Sequence, residues 1–447
     1  MRSMAAPVDQ MSSLHDLPHA RVWSAARDVP ALLWPGAASS ALGRLGERVV
    51  VDVPLLPPLL FTSSIADVRA LLIDPEDNFS FGQVLRRLTA HDVIFGTDTL
   101  SFLEGAQHRA ERKLVSPPYH GRALKSYEDA IAAVMRKHLE RLPVGSPISF
   151  LKIGYQLAVD VMMSVVFGAA EPGATADLEQ AMYGWFKALE SPAFQGLSAL
   201  GVFTGGHALP YLPLRRHEKA VDAILLKEIA NRRAGRGYSD NGLIEHMLQV
   251  NAQSENPKDD ATLARELRGT VLAGYETTAV TLAWIAEFVS HNPRVLDELQ
   301  RSIEAGDDCY LDAVIYEVMR LRPAVPGTAR RVLRDTVLNG IALPRGTVVV
   351  IPFLAVHERP DIYDDPLAFR PERFLNTPPG TYTWLPFGGG AHRCLGAKLA
   401  TFEARVLFRT LLQHRSLTAL PGPPARAHPI RPMLMPINRA TVILQHR

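Results

Sequence analysis

The stretch of sequence that decides the fold is residues 387–396, which reads Phe-Gly-Gly-Gly-Ala-His-Arg-Cys-Leu-Gly. Three glycines lead into a cysteine, Cys394, and a helical repeat follows it at Leu399, Phe402, Val406 and Thr410. Cys394 is therefore predicted to stand at a helix N-terminus, where unpaired N–H groups and the helix dipole favour a thiolate. A thiolate is a metal ligand, and the glycines leave room for a flat cofactor above it.

The spacing Phe-x-x-Gly-x-His-x-Cys-x-Gly resembles the haem-ligand loop of the cytochrome P450 family. A buried cysteine in a glycine-rich turn is the alternative interpretation, because free cysteine is among the most buried residue types. Five matching positions in ten residues favour the haem ligand. The resemblance implies that Cys394 binds the iron of haem b (iron protoporphyrin IX) and favours O–O cleavage. It also places Phe387, His392 and Gly396 at the cofactor.

Composition limits the class of protein. The chain has 447 residues, 47% of them hydrophobic, with 48 Lys and Arg against 46 Asp and Glu. This near balance argues against a nucleic-acid-binding protein. We expect an N-terminal arm at residues 1–30, partly disordered, and a single catalytic domain at 31–447, since no linker or repeat divides the rest. With only two cysteines, Cys309 and Cys394, a disulfide framework is not expected, and a reducing compartment fits.

Membrane insertion is not expected from the sequence. No apolar stretch approaches the ~20 residues that span a bilayer, and the N-terminus lacks the apolar core of a signal peptide. Many membrane-bound members of the P450 family begin with an anchor helix. The resemblance therefore implies a soluble, bacterial-type protein, which we expect to be cytoplasmic and monomeric.

A basic segment at residues 105–113 reads Gly-Ala-Gln-His-Arg-Ala-Glu-Arg-Lys. His108 and Arg112 are four residues apart and share one helix face. A solvated charged helix is the alternative interpretation. Gly-x-x-His-x-x-x-Arg resembles the helix of the P450 family that binds the haem propionates, which implies charge-assisted hydrogen bonds from both residues.

A long helix is predicted from about residue 261 to 290, with Ala-Gly-Tyr-Glu-Thr-Thr at 273–278 in its middle. Glycine and threonine are poor helix-interior residues, so the segment predicts either a packing kink or a widened groove. It resembles the oxygen-activation motif of the family. The resemblance implies that haem lies between this helix and the cysteine loop, that Thr277 hydrogen-bonds the dioxygen-derived group, and that Glu276 relays protons through water.

Two further motifs support the same family. Glu317 and Arg320 form a Glu-x-x-Arg pair, which alone is almost uninformative because exposed ion pairs contribute little. Residues 371–374 read Pro-Glu-Arg-Phe, and in the family the arginine of this tetrapeptide joins the buried pair. The resemblance therefore implies a structural triad of Glu317, Arg320 and Arg373 that supports the cysteine loop.

The segment after Pro323 is predicted to be extended and, by resemblance, to line the substrate pocket. It contributes Val325, Pro326 and Gly327, with Ala273 from the long helix. An arginine just beyond it is expected to reach a haem propionate; we favour Arg330, with Arg331 as the alternative. Residues 80–102, 185–213, 268–277 and 324–329 should border the pocket, and none carries a diagnostic charge that would identify the substrate.

Basic residues near the cysteine loop suggest a docking face for an acidic electron-transfer protein. Arg109, Lys113, Arg393 and Lys398 could form this face, although a scatter of solubilising charges explains them equally well. The expected partners are a ferredoxin or flavodoxin with its reductase, because no fused iron–sulfur or dinucleotide-binding motif is found.

The resemblance implies a mainly α protein with a smaller β region, the cytochrome P450 fold. Its implied function is haem-thiolate monooxygenation of an apolar substrate, with O₂ as co-substrate and electrons from NAD(P)H. Two alternatives are a peroxide-using peroxygenase or isomerase and a haem-binding sensor without turnover. The presence of both Glu276 and Thr277 argues against the first, and the lack of a fused signalling domain argues against the second.

Overall fold

The computed structural model describes residues 12–21, 42, 44–52, 58–88, 96, 98–168, 176–189, 191–194, 197, 212–236, 242–430 and 433–447. Most of the predicted arm lies outside these ranges. Residues 89–95 and 198–211, which were expected to border the substrate pocket, also lie outside them.

Helices dominate the described residues. In chain order they are α1 Ile65–Ile73, α2 Gly82–Leu88, α3 Gly105–Val115, α4 Arg122–Ser126, α5 Glu128–Leu139, α6 Phe150–Phe167, α7 Ala176–Leu189, α8 Leu212–Arg233, α9 Leu243–Ala252, α10 Asp260–Ser290, α11 Pro293–Glu304, α12 Cys309–Leu321, α13 Phe353–His357 and α14 Ala397–His414. The predicted class, mainly α with a smaller β region, is confirmed.

The strands form several small sheets rather than one layer. They are β1 His19–Arg21, β2 Arg48–Asp52, β3 Leu59–Thr62, β4 Phe79–Ser80, β5 Pro147–Ser149, β6 Gly327–Val332, β7 Thr336–Leu338, β8 Ile341–Leu343, β9 Val348–Pro352, β10 Arg415–Ala419, β11 Ala427–Ile430, β12 Met433–Pro436 and β13 Thr441–His446. The largest sheet has the order β1-β2-β3-β9-β6-β4, and the others are β10-β13-β5, β11-β12 and β7-β8.

The long helix α10 is the central element of the fold. Its N-cap Asp259 accepts a hydrogen bond from the Thr262 N–H at 2.8 Å, which satisfies one of the free donors of the first turn. Over 31 residues, at ~1.5 Å each, it crosses most of the molecule. It packs closely on α6, because a Cβ at Gly154 would lie 2.9 Å from the carbonyl oxygen of Ala279.

Helix α6 is the one described helix that is long and apolar enough to cross a bilayer. Its residues are mostly buried inside the protein, where it packs against α5 and α10. It begins at the N-cap Ser149 and ends at Gly168, which adopts φ +73° and terminates the helix in the left-handed region. The burial and the caps are those of a core helix.

Two short hairpin and helix segments lie near the largest sheet. Residues 79–102 contain β4 and α2. A separate hairpin, β7–β8, follows β6 and precedes β9 in the chain. Its turn at Asn339-Gly340 has φ of +45° and +87°, and two positive φ values are what a tight two-residue hairpin requires.

Residues 12–21, which fall within the predicted arm, are part of the folded body. Strand β1 pairs in parallel with β2, and Ser12 forms a bridge with Ile341. Leu14 is buried in the apolar cluster beneath the six-stranded sheet. Within residues 12–21, His19–Arg21 therefore form an edge strand of the six-stranded sheet.

Candidate functional site

The cysteine loop connects the buried Leu385 to the first turn of α14. The N–H of Cys394 donates to the carbonyl oxygen of Phe387 at 2.9 Å, which closes the loop on itself. Residues Gly390–His392 form a 3-10 turn, and α14 begins at Ala397 with Gly396 as its N-cap. Cys394 therefore lies just ahead of the helix that its sequence pattern predicted.

Two glycines of this loop have conformations that other residues rarely adopt. Gly388 has φ +64° and Gly390 has φ +65°. A Cβ at Gly390 would also overlap the carbonyl oxygen of Leu72 at the end of α1. The loop thus needs glycine at position 390 both for its backbone angle and for its close packing on α1.

The side chain of Cys394 is exposed to solvent, although protein atoms surround it densely. A side chain with both properties lines a cleft rather than the outer surface. Burial raises the pKa of the Cys394 thiol, and the Gly396 N–H and the charges of Arg112 and Arg393 oppose the rise. The helix N-terminus alone therefore does not produce the expected thiolate; a metal cation at the sulfur would supply the missing positive charge.

Two histidines from distant parts of the chain meet beside this cleft. The rings of His108, on α3, and His392, in the cysteine loop, have centroids 4.0 Å apart. Burial, together with the charges of His392 and Arg112, lowers the pKa of His108 to about 4. Its Nδ1 atom is buried and has no hydrogen-bond partner among the described residues.

Two arginines predicted at the cofactor are also close to these groups. Arg112 interacts electrostatically with Cys394, and burial lowers its pKa. Arg330 is 3% exposed, lies with its guanidinium 5.0 Å from the ring centre of Phe81, and has its pKa lowered to about 10 by burial. Its neighbour Arg331 is more exposed and points to Gln83 on α2. Of the two alternatives, Arg330 is the buried one.

These groups fit a cofactor that carries a metal and two carboxylates. No carboxylate of the described residues lies within 4 Å of the Arg112 or Arg330 guanidinium, and His108 keeps an unpartnered nitrogen. Buried cationic groups are normally paired. An anionic ligand such as the propionates of haem would pair them, and Cys394 could bind its iron.

The middle of α10 carries the predicted oxygen-activation residues. The Thr277 hydroxyl donates to the carbonyl oxygen of Ala273 at 2.7 Å, and Ala273 itself is exposed. Glu276 is half-buried. Gly274 faces the other way, because a Cβ there would lie 2.5 Å from the sulfur of Met162 on α6. Helix packing therefore explains the glycine, and the groove side of the segment is formed by Ala273 and Thr277.

The strand segment expected at the pocket has mixed exposure. Val325 is half-buried and Pro326 is buried, with its carbonyl oxygen accepting from the Phe353 N–H at 2.8 Å. A Cβ at Gly327 would lie 2.8 Å from the carbonyl oxygen of Ile351 on the neighbouring strand. Gly327 is therefore required by the pairing of β6 with β9, whatever it contributes to a pocket.

The residues of the predicted triad lie together in the core. Glu317 accepts from Arg320 at 2.7 and 2.9 Å and from Nε of Arg373 at 3.0 Å. Arg320 also donates to the carbonyl oxygens of His357 and Pro366. The pair thereby connects α12 to the chain that approaches the cysteine loop.

Three polar residues were not identified from the sequence. His357 donates from Nδ1 to the Arg320 carbonyl oxygen and accepts at Nε2 from the Leu385 N–H, at 2.8 Å each, and burial lowers its pKa to about 3. Glu403 on α14 is buried and bonded by Thr278, and burial raises its pKa to about 8. Glu104 bonds His392. Their partners are distant in sequence, and no local motif marks them.

One of the four basic residues considered for docking differs from expectation. Arg109 forms an ion pair with Asp77 at 2.7 Å, so its charge is not free for a partner. Lys113, Arg393 and Lys398 are exposed, and no described carboxylate lies within 4 Å of them. The possible basic face is therefore smaller than predicted.

Comparison with known proteins identifies the family. The family model for cytochrome P450 matches residues 57–444. Cytochrome P450 137 of Mycobacterium tuberculosis is 31% identical over 404 residues, covering 88% of this chain and 82% of that protein. Cytochrome P450 138 of Mycobacterium bovis is 29% identical over 411 residues, covering 90% and 87%.

A solved structure shares the fold. The retinoic acid-bound cyanobacterial CYP120A1 superposes with a TM-score of 0.77 at 22% identity, covering 91% of this chain and 93% of that one. Taken with the family match and the relatives, this shows that the chain belongs to the cytochrome P450 family, whose cofactor is haem iron, and is an oxidoreductase of the monooxygenase class.

Proposed function

We propose that this protein inserts one oxygen atom of O₂ into an apolar organic substrate, by hydroxylation or epoxidation, and releases the other atom as water. Two electrons come from NAD(P)H through separate redox proteins, and two protons come from solvent. The observation that carries the proposal is the arrangement around the cysteine loop: half-buried Arg112 acts on Cys394, buried His108 stacks on His392, and buried Arg330 lies at Phe81. A sulfur that can ligate a metal thus lies near nitrogen donors, on His108, Arg112 and Arg330, that have no described carboxylate within 4 Å.

In this proposal Cys394 ligates the iron of haem b, and His108, Arg112, Arg330 and His392 hold its propionates. Phe387 and Gly396 shape the loop around the sulfur. When bound, haem supplies the iron centre that activates O₂, with thiolate donation favouring O–O cleavage. The family supports this use of haem, and the donor set of the chain is consistent with it.

Thr277 and Glu276 are proposed to position and deliver the two protons that the reaction consumes. The Thr277 proton is committed to the Ala273 carbonyl oxygen, so the hydroxyl oxygen keeps lone pairs that can accept a hydrogen bond. Thr277 thus holds a proton donor, such as a water or a protonated ligand, in the groove. Glu276, in the same turn, delivers the protons through water as a general acid.

The substrate is proposed to bind against Ala273, Val325, Pro326 and Gly327. These residues offer apolar or small surfaces and no charge, which suits a fatty acid, terpenoid, steroid or polyketide-like compound. Orientation would then depend on shape and on few polar contacts. A screen for substrate-induced shifts of the haem Soret band would identify the class.

The electron donor is proposed to be an acidic ferredoxin or flavodoxin, served by its reductase. Lys113, Arg393 and Lys398 are the exposed charges that could steer it. Charge reversal of Lys113 and Lys398 should slow reduction and flatten its salt dependence. Arg109→Glu is the matched comparison, with a smaller effect expected because Asp77 already pairs that charge. Equal effects of all three substitutions would contradict this docking face.

The central test is the spectrum of the reduced protein under carbon monoxide. The wild type should show the signature of a haem-thiolate, and Cys394→Ser should lose it. Cys309→Ser, at the other exposed cysteine, is the matched control and should keep it. A wild type that binds no haem, or a spectrum typical of histidine ligation, would overturn the proposal.

Turnover separates the monooxygenase from the two alternatives. With surrogate redox partners and a substrate found by the Soret screen, NADH consumption should be coupled to product formation. Product formed only with added peroxide would indicate a peroxygenase. Haem binding without turnover would indicate a sensor.

A further inference from the structure

Glu104 lies at the meeting point of three segments that are far apart in the chain. Its Oε1 accepts from the Ser80 hydroxyl at 2.6 Å and from the Gly82 N–H at 2.7 Å. Its Oε2 accepts from Nε2 of His392 at 3.0 Å. It immediately precedes α3, the helix of His108. One carboxylate therefore joins the segment at residues 80–82, the start of α3 and the cysteine loop.

The packing at Gly82 and the hydrogen bonds to Glu104 both favour this contact. Gly82 leaves little space for a side chain, because a Cβ would lie 3.1 Å from Oε1 of Glu104 and 3.1 Å from the carbonyl oxygen of Phe102. Burial opposes ionisation, but the hydrogen bonds from His392, Ser80 and Gly82 outweigh it and lower the pKa of Glu104. The carboxylate is therefore ionised at neutral pH.

The same carboxylate also acts on the other groups of the proposed propionate site. Burial lowers the pKa of His108 and of Arg330, and the negative charge of Glu104 opposes that lowering in both cases. Phe81, inside the segment that Glu104 holds, contacts both the Arg330 guanidinium, at 5.0 Å from its ring centre, and the His392 ring, at 5.4 Å between centroids. Glu104 is thus close to His108, His392 and Arg330 at once.

We propose that Glu104 is a positioning residue for haem: it holds the His392 ring, and with it the cysteine loop, in the orientation that binds a propionate. This inference rests on the proposed haem site. His392 lies on a short 3-10 turn with exposed neighbours, so its own loop restrains the ring weakly. For metal-ligating histidines, loss of the outer partner that orients the ring typically costs about 10- to 100-fold in affinity, and we expect an effect at the low end of this range for a histidine that binds a propionate.

The experiment measures the rate at which haem leaves the purified holoprotein for excess apomyoglobin. Glu104→Ala should release haem about tenfold faster than the wild type. Glu104→Gln keeps the shape and should have a smaller effect. Asp77→Asn is the matched control, because it removes a nearby exposed carboxylate that pairs only with Arg109 among the described residues. Its release rate should equal that of the wild type.

A double-mutant cycle with His392→Ala separates positioning from general support of the fold. If Glu104 acts through His392, Glu104→Ala should change the release rate less than twofold in the His392→Ala background. A persistent tenfold effect there would mean that Glu104 acts through Ser80 and Gly82 instead, and would overturn the inference. If Glu104→Ala does not fold, the same cycle with Glu104→Gln decides.

Two further results would distinguish failure of this inference from failure of the proposed function. Release from both Glu104 variants at the wild-type rate, with a normal haem-thiolate spectrum in the wild type, would overturn this inference and leave the proposed function standing. A wild type that binds no haem would overturn both.

Discussion

The carboxylate of Glu317 accepts two hydrogen bonds from Arg320, at 2.7 and 2.9 Å, and neither side chain is exposed to solvent. Without the Arg320 guanidinium, the buried Glu317 carboxylate loses two hydrogen-bond donors and a compensating positive charge. Arg320→Ala should therefore destabilise the fold by about 3–5 kcal/mol. Denaturant unfolding measures this loss.

Helix α11 offers a control with the same spacing. Glu298 and Arg301 form an exposed Glu-x-x-Arg pair at 2.6 Å. Arg301→Ala should cost about 0–1 kcal/mol, because solvent screens an exposed ion pair. Similar losses for Arg301→Ala and Arg320→Ala would show that burial does not distinguish the two pairs.

Replacing Thr277 should separate electron flow from product formation. Thr277→Ala removes the hydroxyl that we propose to hold a proton donor, so haem should remain bound while reducing equivalents are lost as peroxide. Thr277→Ser should restore coupling. The measurement is the ratio of product and peroxide to NADH consumed.

Thr281 provides the matched control for this substitution. Its hydroxyl donates to the Thr277 carbonyl oxygen at 2.9 Å, the same i to i−4 bond one turn later in α10. Thr281→Ala should keep product and NADH consumption coupled. Tight coupling in Thr277→Ala would contradict the proton-holding role.

Glu403 should make stability depend on pH. Burial raises its pKa from the ordinary 4.5 to about 8. Between these values the folded state keeps a proton that the unfolded state releases, so stability falls as pH rises, by at most about 1.4 kcal/mol per pH unit. Glu403→Gln removes this penalty, and its stability advantage over the wild type should grow from pH 5 to pH 8.

Thermal unfolding across that pH range measures the effect of Glu403→Gln. Glu140→Gln, at an exposed position, is the control and should follow the wild type at every pH. An advantage for Glu403→Gln that is constant between pH 5 and pH 8 would argue that Glu403 is ionised in the folded protein throughout.

Gly390 should tolerate no side chain. An alanine there has both a left-handed φ and an overlap with the Leu72 carbonyl oxygen, so Gly390→Ala should displace the cysteine loop. Gly145→Ala measures the cost of the left-handed backbone without any steric overlap, because Gly145 has φ +74° and no atom lies within 4 Å of an added Cβ. We expect a cost of about 1–2 kcal/mol for Gly145→Ala and a larger one for Gly390→Ala.

Haem content and the thermal midpoint both report on the Gly390 substitution. Gly145→Ala should retain full haem, because it lies outside the site. A Gly390→Ala protein that keeps the wild-type haem content and midpoint would show that α1 can move away from the loop at little cost.

Local patterns predicted the main elements well. The repeat after Cys394 predicted α14, and the long helix predicted from about residue 261 to 290 is α10, Asp260–Ser290. The short helix α2 was missed, because seven residues in an irregular apolar stretch carry too few turns to show a period. Gly274 illustrates a different limit, since the sequence left both a packing kink and a groove open, and the packing partner Met162 lies on another helix.

The sequence by itself determined the chemistry that depends on residues close together in the chain: the cysteine loop, the His108–Arg112 face and the Glu317–Arg320 pair. Only the tertiary structure decided which distant groups meet. The contact of Glu104 with His392 spans 288 residues, and the pairing of Arg109 with Asp77 spans 32. Such contacts have no local period because they arise when apolar faces pack, and the buried polar groups must then find whichever partners that packing brings near.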